Sequence, residues 1–379
     1  MRRYLGRRAI GAVVLVGALA LPIGTDSAAA PQSRETLSPT LRGEMKALVA
    51  AGVPGVVVLV RRDGSTLRLV SGYSNRSTKA PLRVGDRFRI GSVTKSFVAA
   101  VVLQLVGEGK LSLDDSVEHW LPGLVPNGGK ITLRELLSHR SGLFNYTDDP
   151  RLLKPYLNGN LGYVWTPRRL VALSTSHKPL FAPGTRFSYS NTNYILLGLI
   201  IEAATRHSIE AELSRRIFRP LRLHSTSFET SPRIRGEYAH GYLIRGGRFQ
   251  DVSFLSPSWG WAAGAIVSTA DDVARFYRAL LGGRLLRADL LRAMETIRDD
   301  YGLGLARAQV PPSWGRCGPF LGHDGAIAGY RAYAFNTRDG RKQAVVLANS
   351  LTFVTEQVGN KRAQEALLRL LRTALCAKE

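Results

Sequence analysis

Residues 90–97 read Ile-Gly-Ser-Val-Thr-Lys-Ser-Phe, and the apolar run Phe-Val-Ala-Ala-Val-Val-Leu-Gln-Leu-Val that starts at Phe97 continues to Val106 before Gly107 and Gly109 end it. A run of that length, free of Gly and Pro and closed by glycines, predicts a helix whose first turn holds Ser92. Three residues of helical spacing put Ser92 and Lys95 on one face within hydrogen-bonding reach. The positive helix end favours an oxyanion and opposes protonation of a neighbouring amine, and burial opposes it further. A lysine depressed in this way can take a proton from serine near neutral pH, which activates the serine without histidine. Lys95 is the one lysine in the chain with a serine three residues before it. Taken alone, Ser-x-x-Lys equally describes a helix cap beside a solvated lysine, so the reading needs further elements.

Working outward, residues 53–73 form two β-rich runs around Arg-Asp-Gly-Ser, which predicts a hairpin. Beyond Ser92, residues 100–258 alternate short helical patterns with Pro- and Gly-bearing loops, among them helices near 133–138 and 194–205. The character reverts after Trp261: a helix begins near Asp271, and Y-G-L-G-L-A-R-A-Q, G-Y-R-A-Y-A-F-N-T and K-Q-A-V-V-L-A-N read as strands. Residues 356–375 read as a final helix. Strands at both ends of a mostly helical middle predict an α/β protein of the α+β type. Its antiparallel sheet is assembled from residues 31–91 and 261–379 and flanked by N- and C-terminal helices, and residues 92–260 form a mostly helical inserted domain. The cleft between them is the expected site.

Two further elements complete a constellation. Tyr-x-Asn offers a phenol for proton transfer, which nearby cations would push toward ionisation, and a carboxamide with a donor and an acceptor. It occurs at Tyr73 and Asn75, Tyr156 and Asn158, and Tyr189 and Asn191. The first ends a strand and the second sits in an Asn/Gly loop. The third lies between a Pro-Gly turn and an apolar helix that would hold it rigidly, which favours Tyr189 and Asn191. L-G-H-D-G-A-I-A-G-Y, entering a strand, brings His323 as a cation or donor, with glycines that let a substrate backbone approach and leave a free main-chain N–H to pair with that of Ser92.

The first thirty residues carry four arginines, an apolar run from Ala9 to Gly24 and a small-residue end, the pattern of a secretory signal peptide over residues 1–30. The paired arginines are compatible with twin-arginine export. A secreted protein, free of the membrane once the signal is removed, is expected. Cys317 and Cys376 are then expected to form a disulfide, and neither has Cys or His at zinc-ligand intervals, so no metal or cofactor is implied. The formal charge of +23 becomes +20 when residues 1–30, with four arginines and Asp26, are removed. The arginines are scattered singly with no groove-reading motif, which argues against nucleic acid; an anionic cell-wall polymer is the partner such a field suits. No serine sits in Gly-x-Ser-x-Gly, which argues against an α/β-hydrolase.

The order S-V-T-K, Y-S-N, H-D-G resembles the serine β-lactamase and penicillin-binding protein family. With Tyr-x-Asn and His-x-Gly it is most similar to the secreted actinomycete D-alanyl-D-alanine carboxypeptidases, neighbours of the class C β-lactamases. The similarity runs from about Leu41 to Cys376 and includes L-R-V-G-D-R-F-R-I-G-S-V-T-K-S-F, L-L-S-H-R-S-G-L, Y-S-N-T-N-Y, Y-G-L-G-L and both cysteines. The resemblance implies a β-lactamase/transpeptidase-like fold and a monomer acting on a small peptide or ester, with β-lactams as acylating inhibitors. It assigns Ser92 as nucleophile, Lys95 as its base, Tyr189 as donor to the leaving amine and Asn191 as holder of the acyl amide. His323 stands where relatives use lysine, the N–H groups of Ser92 and Ala326 form the oxyanion hole, and Trp259 lines the cleft.

The chain departs from those carboxypeptidases on the side of the leaving group. The arginine they place after G-L-G-L is Ala306 here, and the adjacent Arg307 faces the other way in a strand. Their hydroxyl residues in and after His-x-Gly are Asp324 and Ala326. An ionised Asp324 repels a free carboxylate unless the strand turns it away. An esterase, amidase, D-aminopeptidase or β-lactamase on the same scaffold is therefore the alternative.

Overall fold

The computed structural model describes residues 34–62, 64–245, 248–315, 317–350 and 361–377. The signal-peptide reading of residues 1–30 and the first residues of the expected last helix, 356–360, lie outside them. Helix α1 (Arg34–Ala50) leads into strands β1 (Gly55–Arg62) and β2 (Ser65–Asn75), and β3 (Ala80–Pro81) follows. Helices α2 (Thr94–Gly107), α3 (Asn191–Thr205) and α4 (Ala270–Leu281) precede β4 (Ala306–Arg307), β5 (Leu321–Ile327), β6 (Tyr330–Asn336) and β7 (Lys342–Ala348). Helix α5 (Lys361–Cys376) comes last. These strands form one sheet in the order β3-β2-β1-β7-β6-β5-β4, and every neighbouring pair is antiparallel.

The unbroken run Val56-Val-Val-Leu-Val60 in β1 is explained by burial on both faces. Val56, Val58 and Val60 pack with Leu41, Met45 and Leu48 of α1 and Leu367 and Leu370 of α5. Val57 and Leu59 point the other way, into the larger core shared with α2, α3 and α4. Helix α5 buries Ala363, Ala366, Leu367, Leu370, Leu371 and Ala374, one stripe at helical spacing. The Cys317–Cys376 disulfide joins its last residue to the loop before β5.

The expected strand over 301–309 shrinks to Ala306–Arg307. Gly304 takes a left-handed backbone angle in the middle of that run, which a strand cannot continue through, and Asp299 and Asp300 do so just before it. Consequently β4 covers only Leu321 and Gly322 of β5. Phe320 accepts from Ala308 N on the β4 side (2.9 Å), so by alternation the main-chain groups of Asp324 and Ala326 face the same, uncovered edge.

Two glycines bring that edge to the start of α2. Gly91 has φ +52°, and a Cβ there would lie 2.8 Å from the Ala326 main chain. A Cβ on Gly325 would lie 2.0 Å from Ile90 O and 3.1 Å from Ser92 N. Any side chain at either position would push Ser92 away from β5.

Candidate active site

Ser92 lies in the 3-10 turn Gly91–Val93 that runs directly into α2. Lys95 is fully buried. Its Nζ lies within hydrogen-bonding distance of Ser92 Oγ (2.9 Å), Asn191 Oδ1 (2.8 Å) and Ala263 O (2.9 Å). None of these partners is charged, and a neutral amine there donates its two hydrogens to the Asn191 and Ala263 oxygens and accepts from the Ser92 hydroxyl. Burial therefore drives the Lys95 ammonium well below its ordinary range, and only the more distant Asp324 works against it. A neutral amine hydrogen-bonded to a serine hydroxyl is a base ready to accept that proton.

Tyr189 and Asn191 arrive from the segment that opens α3. The Tyr189 phenol is close enough to Ser92 for that side chain to lower its pKa, and Lys95 Nζ lies 5.0 Å from its ring centre. The expectation that cations push this phenol toward ionisation is corrected: burial raises it well above 10, Ser92 lowering it only partly and Asp324 raising it further. The nearest cationic group, Lys95, is itself kept neutral. Tyr189 thus holds its proton and acts as a donor.

Asn191 is the first residue of α3. Beyond Lys95, its Nδ2 donates to Asn145 Oδ1 (3.2 Å) and Thr147 Oγ1 (3.3 Å), and its main-chain N to Asn145 Oδ1 (3.0 Å). Both amide hydrogens are engaged, which leaves the second lone pair of Oδ1 for a substrate N–H. The other two Tyr-x-Asn pairs serve elsewhere: Asn75 meets His240, and the buried Tyr156 donates to Tyr163 O.

His323 is buried and its Nε2 meets Tyr301 Oη at 2.9 Å, while Nδ1 contacts Asp324 O. The carbonyl can only accept, so Nδ1 carries the hydrogen and Nε2 accepts from the phenol. Burial pushes the imidazole down to about 4. The expected cation or donor is corrected to a neutral ring with both nitrogens engaged.

Asp324 is turned from His323 by the strand period. It shares a sheet face with Ala326, Arg331 and Tyr333, as the β5–β6 register dictates. Arg331 Nη2 donates to its Oδ2 at 2.7 Å, and the two side chains keep 18% and 19% of their surface exposed. The carboxylate expected to contact substrate is thus held in an ion pair. Ala306 lies on that face too, opposite Gly322, and Arg307 on the other, where it pairs with Asp300 (2.5 Å). Arg140 pairs with Asp299. Trp259 is half-buried, and its carbonyl accepts from Tyr146, the neighbour of Thr147.

Sequence reasoning assigned no role to Asn145, Thr147, Asp148 or Tyr301. Asp148 accepts from Asn145 Nδ2 (3.1 Å), and burial raises its carboxyl to about 6. Tyr301 opens a quoted motif, Y-G-L-G-L, but the cross-chain contact that gives it meaning exists only in three dimensions. Among the described residues no three metal-ligating side chains converge, and no helix is long and apolar enough to cross a membrane.

A serine on a neutral buried lysine, with a proton-bearing phenol against the same hydroxyl, is the equipment of a serine acyl-transfer hydrolase. The family model Beta-lactamase matches residues 41–368, and the chain belongs to that family, an enzyme of the serine hydrolase β-lactamase and penicillin-binding protein group. Among solved structures it is similar to a D-stereospecific amidohydrolase from Streptomyces sp., with 36% identity and a TM-score of 0.77 over 86% of this chain and 97% of the other. A D-aminopeptidase of Brucella anthropi is 29% identical over 310 residues, 78% of this chain and 56% of that protein. Penicillin-binding protein 4* of Bacillus subtilis is 27% identical over 299 residues, 73% of this chain and 64% of that protein. The chain thus spans less than two thirds of the length of these two curated relatives.

Proposed function

We propose that the protein is a secreted amidohydrolase that cleaves the amide bond following a D-amino acid residue through an acyl-enzyme on Ser92. The observation that carries this is the 2.9 Å contact between Ser92 Oγ and the fully buried Lys95. Lys95 takes the Ser92 proton as Oγ attacks the carbonyl, and the N–H groups of Ser92 and Ala326 receive the oxyanion. Tyr189 gives its proton to the departing nitrogen and is reprotonated from the Lys95 ammonium. Water then attacks the ester as Lys95, neutral again, takes its proton by way of Tyr189, which accepts that proton while passing its own to Lys95, and the proton finally returns to Ser92 Oγ as the acid leaves. Asn191 orients the acyl amide, Trp259 walls the acyl side, and β-lactams acylate the same serine. The D configuration rests on the similarity to enzymes named for it, and the basic charge suits an anionic wall polymer.

Two arrangements are compatible with this chemistry. A D-Ala-D-Ala carboxypeptidase needs a cation for the terminal carboxylate, yet Arg307, Arg331 and Arg140 each hold an aspartate. An aminopeptidase or amidase needs an anion for a free ammonium on the acyl side, and Asp148, bonded to the Asn145 that holds Asn191, supplies one. The second arrangement is favoured.

Turnover of a D-amino acid amide against an N-acylated D-Ala-D-Ala peptide decides between them, with intact mass after benzylpenicillin reporting acylation. The free-amine substrate is expected to give the higher kcat/KM. Asp148→Asn is expected to raise its KM about tenfold, the loss of one charged hydrogen bond, and to leave an ester without an amine unchanged. Below about pH 6 Asp148 takes up a proton and loses its charge, so kcat/KM for the amine substrate falls on the acid side. Preference for the acylated peptide would restore the carboxypeptidase arrangement. Absence of any Ser92 adduct would sink the acyl-enzyme itself.

A further inference from the structure

The motif L-L-S-H-R-S-G-L contains His139, a fully buried histidine that the chemistry above leaves without a task. It follows the short helix Leu133–Leu137 and takes φ +57°. Glycine or asparagine holds a left-handed turn with less strain than histidine, so the turn by itself does not call for an imidazole.

Its contacts converge on one neighbour. The main-chain N of Ser188 donates to His139 O (3.0 Å), and that of Ser190 donates to His139 Nδ1 (3.2 Å). The two grips fall on either side of Tyr189. The imidazole itself lies against the Tyr189 ring, centres 4.2 Å apart and planes inclined by 34°. Tyr301 and Tyr194 pack around it, at 4.7 Å and 5.3 Å. Asn193 Nδ2 also reaches Nδ1, at 3.2 Å. Two donors on Nδ1 fix it as the acceptor, so the hydrogen is on Nε2, which is buried without a hydrogen-bond partner. A proton on Nδ1 would set N–H against N–H and break the Ser190 grip. Burial lowers the imidazole well below its ordinary range.

We propose that His139 is a positioning residue for Tyr189, clamping the main chain on both sides of it and backing its ring so that the phenol addresses Ser92 and the leaving nitrogen. This rests on Tyr189 acting as the proton donor. A neutral aromatic surface behind the phenol excludes water there, and small displacements of a proton donor are costly to a step that depends on its alignment.

The test compares an amide with a p-nitrophenyl ester, whose leaving group departs without a proton. His139→Gly keeps the left-handed backbone and removes both acceptor and ring; His139→Asn keeps the backbone and returns an acceptor to Ser190. His139→Gly is expected to lower the acylation rate on the amide by about 10- to 100-fold and that on the ester, read as the p-nitrophenol burst, by less than about threefold. His139→Asn recovers part of the amide loss. Combining His139→Gly with Tyr189→Phe should cost no more than Tyr189→Phe alone, since both act through one group. Thermal unfolding confirms that the variants are folded at the assay temperature. Equal losses on both substrates, or additive losses in the double variant, overturn the proposal. If Tyr189→Phe leaves amide turnover intact, the proton-donor reading fails, and this inference with it.

Discussion

Lys95 and Arg331 are two withdrawn cationic side chains that both feel Asp324, and they have opposite fates. Lys95 is surrounded by a hydroxyl, an amide oxygen and a main-chain carbonyl. Arg331, one strand away from the substrate edge, meets the Asp324 carboxylate, the Tyr333 hydroxyl at 2.8 Å and the Tyr333 ring. Burial works against charge at both. At Lys95 it prevails and the group becomes a base; at Arg331 Tyr333 and Asp324 outweigh it and the guanidinium is held more firmly charged. Desolvation alone therefore does not make a general base. The carboxylate has to be kept from reaching it, and here the strand period does this by turning Asp324 to the other face of the sheet.

The contrast predicts a ranked set of effects. Lys95→Ala removes the base, and acylation of Ser92, followed by intact mass with benzylpenicillin, should fall by on the order of 10³. Replacing the other pair whole, Arg331→Met with Asp324→Leu, should leave acylation almost unchanged; a comparable loss there would dissolve the distinction. Asn191→Asp gives Lys95 the counter-ion it lacks. Its pKa then rises, the protonated amine cannot take the serine proton, and acylation at neutral pH should drop by about 10². The decisive reading is the acid limb of the rate profile, which must move to higher pH. Asp324→Asn strands Arg331. Both side chains keep some solvent contact, so the expected destabilisation is about 2 kcal/mol, below the full value for a buried pair. Acylation of Ser92 should be little changed, because the pair lies on the sheet face turned from His323, and a loss comparable to that of Lys95→Ala would contradict this.

Much of this was legible in the residues. The hairpin at 53–73, the strands near the C-terminus and the helix after Ser92 follow from runs, turns and period, and they define the mixed antiparallel architecture. The spacing of Ser92 and Lys95 on one helical turn also puts the two side chains in contact, as the 2.9 Å bond shows. Protonation was harder to read. The phenol of Tyr189 is held away from the ionisation expected of it and His323 is neutral rather than cationic, because burial outweighs neighbouring charge and depth is not written in a local motif. The Asp324–Arg331 pair needs the β5–β6 register, since the partners are diagonal across a hairpin. The strand expected over 301–309 is cut short for a local reason, the left-handed Gly304 within it and Asp299 and Asp300 just before it.

The hairpin formed by β1 and β2 carries a consequence for how the molecule is made. β1 is an interior strand whose second neighbour, β7, pairs Val56 with Ala348. During synthesis the first hairpin must wait, one flank bare, until nearly the whole polypeptide has emerged. Contacts this distant along the chain are slow to form, so closure of the sheet at β1 is a late step of folding.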